Sequence, residues 1–110
     1  MSNWKDICPV EAIVPNSGRC ALHEGEQVAI FRLRQGGSDT FYAVDNFDPL
    51  ARANVISRGI VGSRGNVPVV ASPLYKQHYC LNTGDCLEED VSLKTWPVRV
   101  VGDTVQLRVN

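Results

Sequence analysis

Gln27-Val28-Ala29-Ile30-Phe31-Arg32-Leu33-Arg34, then Gln35-Gly36-Gly37-Ser38-Asp39, then Phe41-Tyr42-Ala43-Val44 is the stretch that decides the fold class. The first run sets Ala29, Phe31 and Leu33 on one side of an extended chain, the period-two pattern of a strand with a buried face. The polar, glycine-rich middle reads as a turn. The last run returns as the partner strand, so residues 27–44 predict a hairpin.

The same pattern spreads in both directions. Val105, Leu107 and Val109 alternate with Gln106 and Arg108, and Val98 and Val100 flank Arg99. Gly102-Asp103 lies between these runs, so residues 97–109 predict a C-terminal hairpin. Residues 59–62 and 67–71 flank Ser63-Arg64-Gly65-Asn66, and residues 77–81 and 86–87 flank Asn82-Thr83-Gly84-Asp85. Helix signals are few. Asp48-Pro49 is a good start, an N-capping residue before a proline, and predicts a short helix over residues 49–54. Residues 9–13 predict a single turn. The chain therefore reads as one domain over residues 1–110: all-β, an antiparallel sandwich or partly open barrel of about 8–10 short strands with one or two short helices. No internal repeat or linker is evident. Residues 46–76 are the richest in loop signals, and loops on a rigid β scaffold commonly carry function.

Composition narrows the function classes. Eleven Lys and Arg against twelve Asp and Glu give a net charge of −1, which argues against a nucleic-acid module. Apolar residues at 44% and charged residues at 21% fit a packed globular chain and exclude a disordered one. The apolar runs are too short for a membrane-spanning helix. The opening Met-Ser-Asn-Trp-Lys-Asp-Ile-Cys-Pro-Val has no basic region followed by an apolar one, so no secretion leader is expected. That predicts a cytoplasmic location and reduced thiols at Cys8, Cys20, Cys80 and Cys86.

No metal or catalytic residue emerges from spacing. His78-x-Cys80 and Cys80-x5-Cys86 lie close in sequence, but structural zinc sites use cysteines two to four residues apart. Cys80 and Cys86 read as structural thiols on either arm of a turn. His23 reads as a surface residue ending a strand before Glu24-Gly25. No G-x-S-x-G elbow occurs, and Gly59, Gly62 and Gly65 lack the Lys-Ser/Thr of a phosphate-binding loop.

Two segments carry a family likeness. Phe41-Tyr42-Ala43-Val44-Asp45-Asn46-Phe47-Asp48-Pro49-Leu50 resembles the strand and first loop of Rieske iron–sulfur domains. Ser72-Pro73-Leu74-Tyr75-Lys76-Gln77-His78-Tyr79, with Leu81-Asn82-Thr83-Gly84-Asp85-Cys86-Leu87 after it, resembles the second loop and its hairpin. The resemblance implies a Rieske-like fold and puts the cluster-ligand positions at Asp48, Leu50, Ser72 and Tyr75. The family holds one iron by two Cys and the other by two His, and none of these four residues is either. The ligand set is degenerate, so no cofactor and no metal is expected in this chain. In place of the cluster, Asp48 is expected to cap the helix, Leu50 to fill the space of an imidazole, Ser72 to bond locally, and Tyr75 to cover the other side with its hydroxyl partnered.

The likeness narrows further on Trp4-x-x-Ile7-Cys8-Pro9, Gln27-Val28-Ala29-Ile30-Phe31-Arg32, Ser57-Arg58-Gly59-Ile60-Val61-Gly62 and Val70-Ala71-Ser72-Pro73-Leu74-Tyr75-Lys76-Gln77. These runs are similar to the small subunits of cytoplasmic NADH-dependent nitrite reductases. That resemblance implies a large-subunit partner carrying FAD, an iron–sulfur cluster and sirohaem, which reduces nitrite to ammonia with NAD(P)H in nitrate assimilation. The small subunit is then a non-catalytic component, with no nucleic-acid or membrane partner. The other reading is a Rieske-type [2Fe–2S] ferredoxin-like electron-transfer protein, which needs the missing ligands. Arg52, Arg58, Arg64 and Lys76 gather in the loop region and are the candidate contacts to an acidic partner.

Overall fold

Val28, Ala29, Ile30 and Phe31 are all buried, so the strand that carries them has core on both faces. In the computed structural model, which describes residues 3–109, that strand is the third of twelve. In chain order they are β1 (Trp4–Pro9), β2 (Ser17–His23), β3 (Glu26–Gln35), β4 (Ser38–Asp45), β5 (Phe47–Asp48), β6 (Ala53–Asn54), β7 (Ile60–Arg64), β8 (Val67–Ala71), β9 (His78–Cys80), β10 (Thr95–Trp96), β11 (Val98–Val101) and β12 (Thr104–Arg108). They form four antiparallel sheets, ordered β1-β12-β11, β10-β4-β3-β2, β5-β6 and β7-β8-β9. This is the expected all-β architecture, cut into more and shorter strands than the sequence suggests.

The central sheet sits between two cores. Val28 and Ile30 pack with Ile13, Ala43, Trp96, Val105 and Leu107 on one side. Ala29, Phe31 and Leu33 pack with Val44, Ile56, Val70, Tyr79, Leu81 and Leu93 on the other. The sequence pattern exposed only the second set as a face. Burying each Val, Ile or Phe side chain contributes about 1.5–3 kcal/mol, which makes β3 the backbone of the fold.

The predicted hairpins form where turn chemistry is local. Gln35 pairs with Ser38 across Gly36 and Gly37, at φ +57° and +84°, a two-residue turn that needs left-handed backbone at both positions. Arg64 pairs with Val67 and Val101 with Thr104 across the other two predicted turns. The fourth is reduced: β9 pairs with β8, and the return contributes a lone bridge between Tyr79 and Cys86. The predicted turn near residue 10 is a 3-10 turn over Val10–Ala12, and a second covers Ile56–Arg58. The pairing of β1 with β12, Trp4 opposite Arg108, joins the two ends of the chain, and the Arg99 guanidinium covers the Trp4 ring at 4.3 Å. Among the described residues no helix is long and apolar enough to cross a membrane.

Candidate functional site at two paired loops

The first loop is Asp48-Pro49-Leu50-Ala51-Arg52. One Asp48 carboxylate oxygen accepts the backbone N–H of Leu50 at 3.0 Å and of Ala51 at 3.3 Å, the capping contact that the sequence predicts. The helix predicted over residues 49–54 does not form. The N–H of Arg52 closes a single turn on the Asp48 carbonyl at 2.7 Å, and Arg52 itself takes φ +56°. Left-handed backbone reverses the chain, and Ala53 then pairs back against Asp48 as β6 on β5. Asp48 therefore caps one turn, and the chain beyond that turn runs as a β ladder in place of a helix.

The second loop, Ser72-Pro73-Leu74-Tyr75-Lys76, is built the same way. The Lys76 N–H closes on the Ser72 carbonyl at 3.0 Å, and Lys76 takes φ +63°. The loops meet through their first residues. The Ser72 hydroxyl donates to one Asp48 oxygen at 2.5 Å, and the Tyr79 hydroxyl donates to the other at 2.8 Å. Asp48, Ser72 and Tyr79 are all buried. Burial pushes the Asp48 carboxyl up, but hydrogen bonds from Ser72, Tyr79, Leu50 and Ala51 outweigh it and hold the pKa below its usual value. Burial, together with the hydrogen bond to Asp48, pushes the Tyr79 phenol far above its ordinary range, so Tyr79 stays a neutral donor.

Other predicted site residues fall differently. Leu50 is half-buried. Tyr75 is 60% exposed, which corrects the expectation that it covers the loops. Tyr79, four residues on, does so instead, because it lies on β9 opposite Val70 and faces the core. Arg52, Arg58, Arg64 and Lys76 are all exposed. Arg58 and Lys76 line one cavity of about 460 Å³ with Ile60, Ala71, Ser72, Pro73 and His78. Arg64 is partly engaged: it lies 3.9 Å from Glu88, whose carboxylate also accepts from the His78 backbone at 2.8 Å and contacts its ring at 2.7 Å. His23, read as a surface residue, is buried, with Nε2 against the Arg108 carbonyl at 3.1 Å. That contact comes from the end of β12, which pattern alone does not bring to His23.

Two contributors escape a reading of the sequence. Tyr79 is one. Asn46 is the other: buried, it donates to Gln27 Oε1 at 3.0 Å and accepts the Ser57 N–H at 2.7 Å. It thereby pins the first loop to the second 3-10 turn. The loop echo, Asp-Pro-Leu-x-Arg against Ser-Pro-Leu-x-Lys, is present in the sequence but is only five residues long, too short to register as a repeat.

The donor set does not fit an iron–sulfur cluster. Both Asp48 oxygens are occupied by intramolecular donors. Leu50 has no donor atom, Ser72 is spent on Asp48, and the Tyr75 side chain points into solvent. The four cysteines are unpaired and lie elsewhere. Among the described residues no three His, Cys, Asp or Glu side chains come together as a metal site.

The fold and its paired loops are those of a Rieske-like [2Fe–2S] domain, and that family's model matches residues 3–108. The nitrite reductase (NADH) small subunit of Salmonella typhimurium is 46% identical over 109 residues, 98% of this chain and 99% of that protein. The solution structure of the E. coli protein NirD superposes with a TM-score of 0.87 at 45% identity, covering 98% of this chain and 97% of that one. The chain belongs to the family of nitrite reductase small subunits. A third relative is larger: a Klebsiella oxytoca protein named nitrite reductase [NAD(P)H] large subunit is 41% identical over 98 residues, 88% of this chain but 10% of that protein.

Proposed function

We propose that this chain is the non-catalytic small subunit of a cytoplasmic, NAD(P)H-dependent nitrite reductase. Its partner is the large subunit, carrying FAD, an iron–sulfur cluster and sirohaem, which reduces nitrite to ammonia. The observation that carries the reading is the loop pair. The Rieske-like frame is kept, while its ligand positions hold groups bonded to one another: Asp48 to Ser72, with Tyr79 behind them. A ferredoxin-like electron carrier needs thiolate and imidazole donors at those positions, and the residues there supply neither.

Association with a large subunit is supported by the Klebsiella relative, where a segment like this chain lies within a protein bearing the large-subunit name. A separate chain must dock, and we assign the docking to the loop region bearing Arg52, Arg58, Arg64 and Lys76, of which Arg58 and Lys76 line one cavity. Charged rims of this kind set association rate and register.

Affinity isolation of the tagged chain from its own host grown with nitrite tests this reading. The expected result is recovery of the large subunit together with NADH-dependent nitrite reduction. Recovery should fall about tenfold or more when Arg58→Glu and Lys76→Glu are combined, and little for Arg108→Glu. No large subunit recovered, from an extract that contains the reductase, contradicts the reading. Equal losses for the two sets of variants would move the interface elsewhere on the chain.

A further inference from the structure

Arg52 and Lys76 occupy the same place in the two loops. Each is the fifth residue of its loop, each closes it by an N–H to the carbonyl of the first residue, and each sits at positive φ. Among the described residues only four non-glycine residues have positive φ: Asn16, Glu24, Arg52 and Lys76. Asn tolerates left-handed backbone, whereas a long side chain there is strained and glycine is not. Glu24 lies in the two-residue turn between β2 and β3; outside such hairpin turns, strain of this kind persists where the surrounding structure holds it and clusters at ligand clamps and switch regions, where it answers a need.

The need is not internal. Neither Arg52 nor Lys76 makes a side-chain hydrogen bond or ion pair among the described residues. Several other cations have occupations within the chain. Arg32 and Arg34 share Asp39 at 2.7 and 2.9 Å, Lys94 pairs with Glu26 at 3.1 Å, and Arg99 lies over Trp4. The surroundings of Lys76 are apolar and open: Ile60, which lines the same cavity, and Leu74 and Tyr75 of its own loop are 77%, 55% and 60% exposed. Exposed apolar side chains among unpaired cations describe a surface complementary to carboxylates bordering an apolar contact.

We propose that Arg52 and Lys76 are a matched pair of docking cations, each held in a strained loop-closing position to meet carboxylates on an acidic, partly apolar face of the large subunit. The Asp48–Ser72 bond fixes the spacing of the two loops and hence of the two charges. The inference rests on the subunit reading and adds to it where the contact is made and by what chemistry.

The test is a binding titration of the purified chain onto the cognate large subunit, alongside a thermal melt of the chain alone. Arg52→Gly with Lys76→Gly relieves both strained positions and removes both charges. This double variant should melt at or above the wild-type temperature, bind about tenfold or more weakly, and show a shallower dependence on salt. The charge-keeping pair Arg52→Lys with Lys76→Arg should bind nearly as wild type. Glycine variants that bind within about twofold of wild type overturn the inference and leave the subunit reading standing. Glycine variants that melt well below wild type also overturn it, because the side chains would then be structural. If the wild-type chain itself does not bind, the subunit reading fails and takes this inference with it.

Discussion

Asp48→Ala is expected to destabilise the isolated chain by about 3–4 kcal/mol, because each buried donor left without an acceptor costs about 1–3 kcal/mol. The substitution orphans the hydroxyls of Ser72 and Tyr79 in the core and frees the N–H groups of Leu50 and Ala51. At about 4 °C per kcal/mol for a chain of this size, the melting temperature should fall by roughly 12–16 °C. Tyr79→Phe removes one donor and leaves the carboxylate its other three, so it should cost less, about 1–2 kcal/mol. Urea melts of the three proteins check this order. A loss under about 1 kcal/mol for Asp48→Ala would mean that the loops are held by something else.

The same carboxylate sets an acid limit on stability. Its folded pKa lies below its usual value, because its four donors favour the charged form by more than burial opposes it. A carboxyl depressed on folding contributes in full above its unfolded pKa, near 3.9. It loses that contribution as pH falls through the folded value. Asp48→Asn keeps the shape without the titration. Its melting temperature should therefore start lower at neutral pH and decline less on acidification than that of the wild type. Parallel curves would contradict the role assigned to the charge.

Gly84→Ala is expected to be nearly as damaging, at about 3 kcal/mol or more, because it combines strained backbone with overlap in a packed region. Gly84 is buried at φ +83°, and a Cβ there would lie 2.0 Å from the Leu93 carbonyl oxygen. That neighbour cannot step aside. Leu93 is a core residue whose N–H donates to the Gly84 carbonyl at 2.8 Å, while the Gly84 N–H closes on the Cys80 carbonyl at 2.7 Å. Gly102→Ala isolates the conformational part: φ is +60° and nothing lies within 4 Å of the added atom. It should cost only about 1 kcal/mol. Similar losses for the two variants, measured by urea unfolding, would show that the contact with Leu93 relaxes freely.

Legibility in the sequence tracks the range of the interactions. The hairpins at Gly36-Gly37 and Gly102-Asp103 are readable because turn chemistry and strand alternation are local. Val28 and Ile30 are not readable as core, since their face is buried by β12, far along the chain. The helix predicted after Asp48 fails on a fact that propensity does not carry: Arg52 adopts left-handed backbone and sends the chain back along β5. At the site, the capping contact of Asp48 is legible from the Asp-Pro pair, though as the start of a helix that does not form. The bond from Asp48 to Ser72, and the place of Tyr79 rather than Tyr75 as the covering phenol, depend on how two distant loops pack. Asn46 escapes for the same reason, since its partners Gln27 and Ser57 lie on separate elements.

Common to the fold, the loop pair and the proposed docking face is one claim: intramolecular hydrogen bonds on Asp48 join the two loops that a cluster joins in a Rieske protein. Anaerobic reconstitution of the purified chain with iron and sulfide, with iron and labile-sulfide assays and a visible spectrum afterwards, tests it most directly. The expected result is a colourless protein that retains neither element after desalting. Stoichiometric uptake with a Rieske-type spectrum would contradict the account and return the chain to electron transfer.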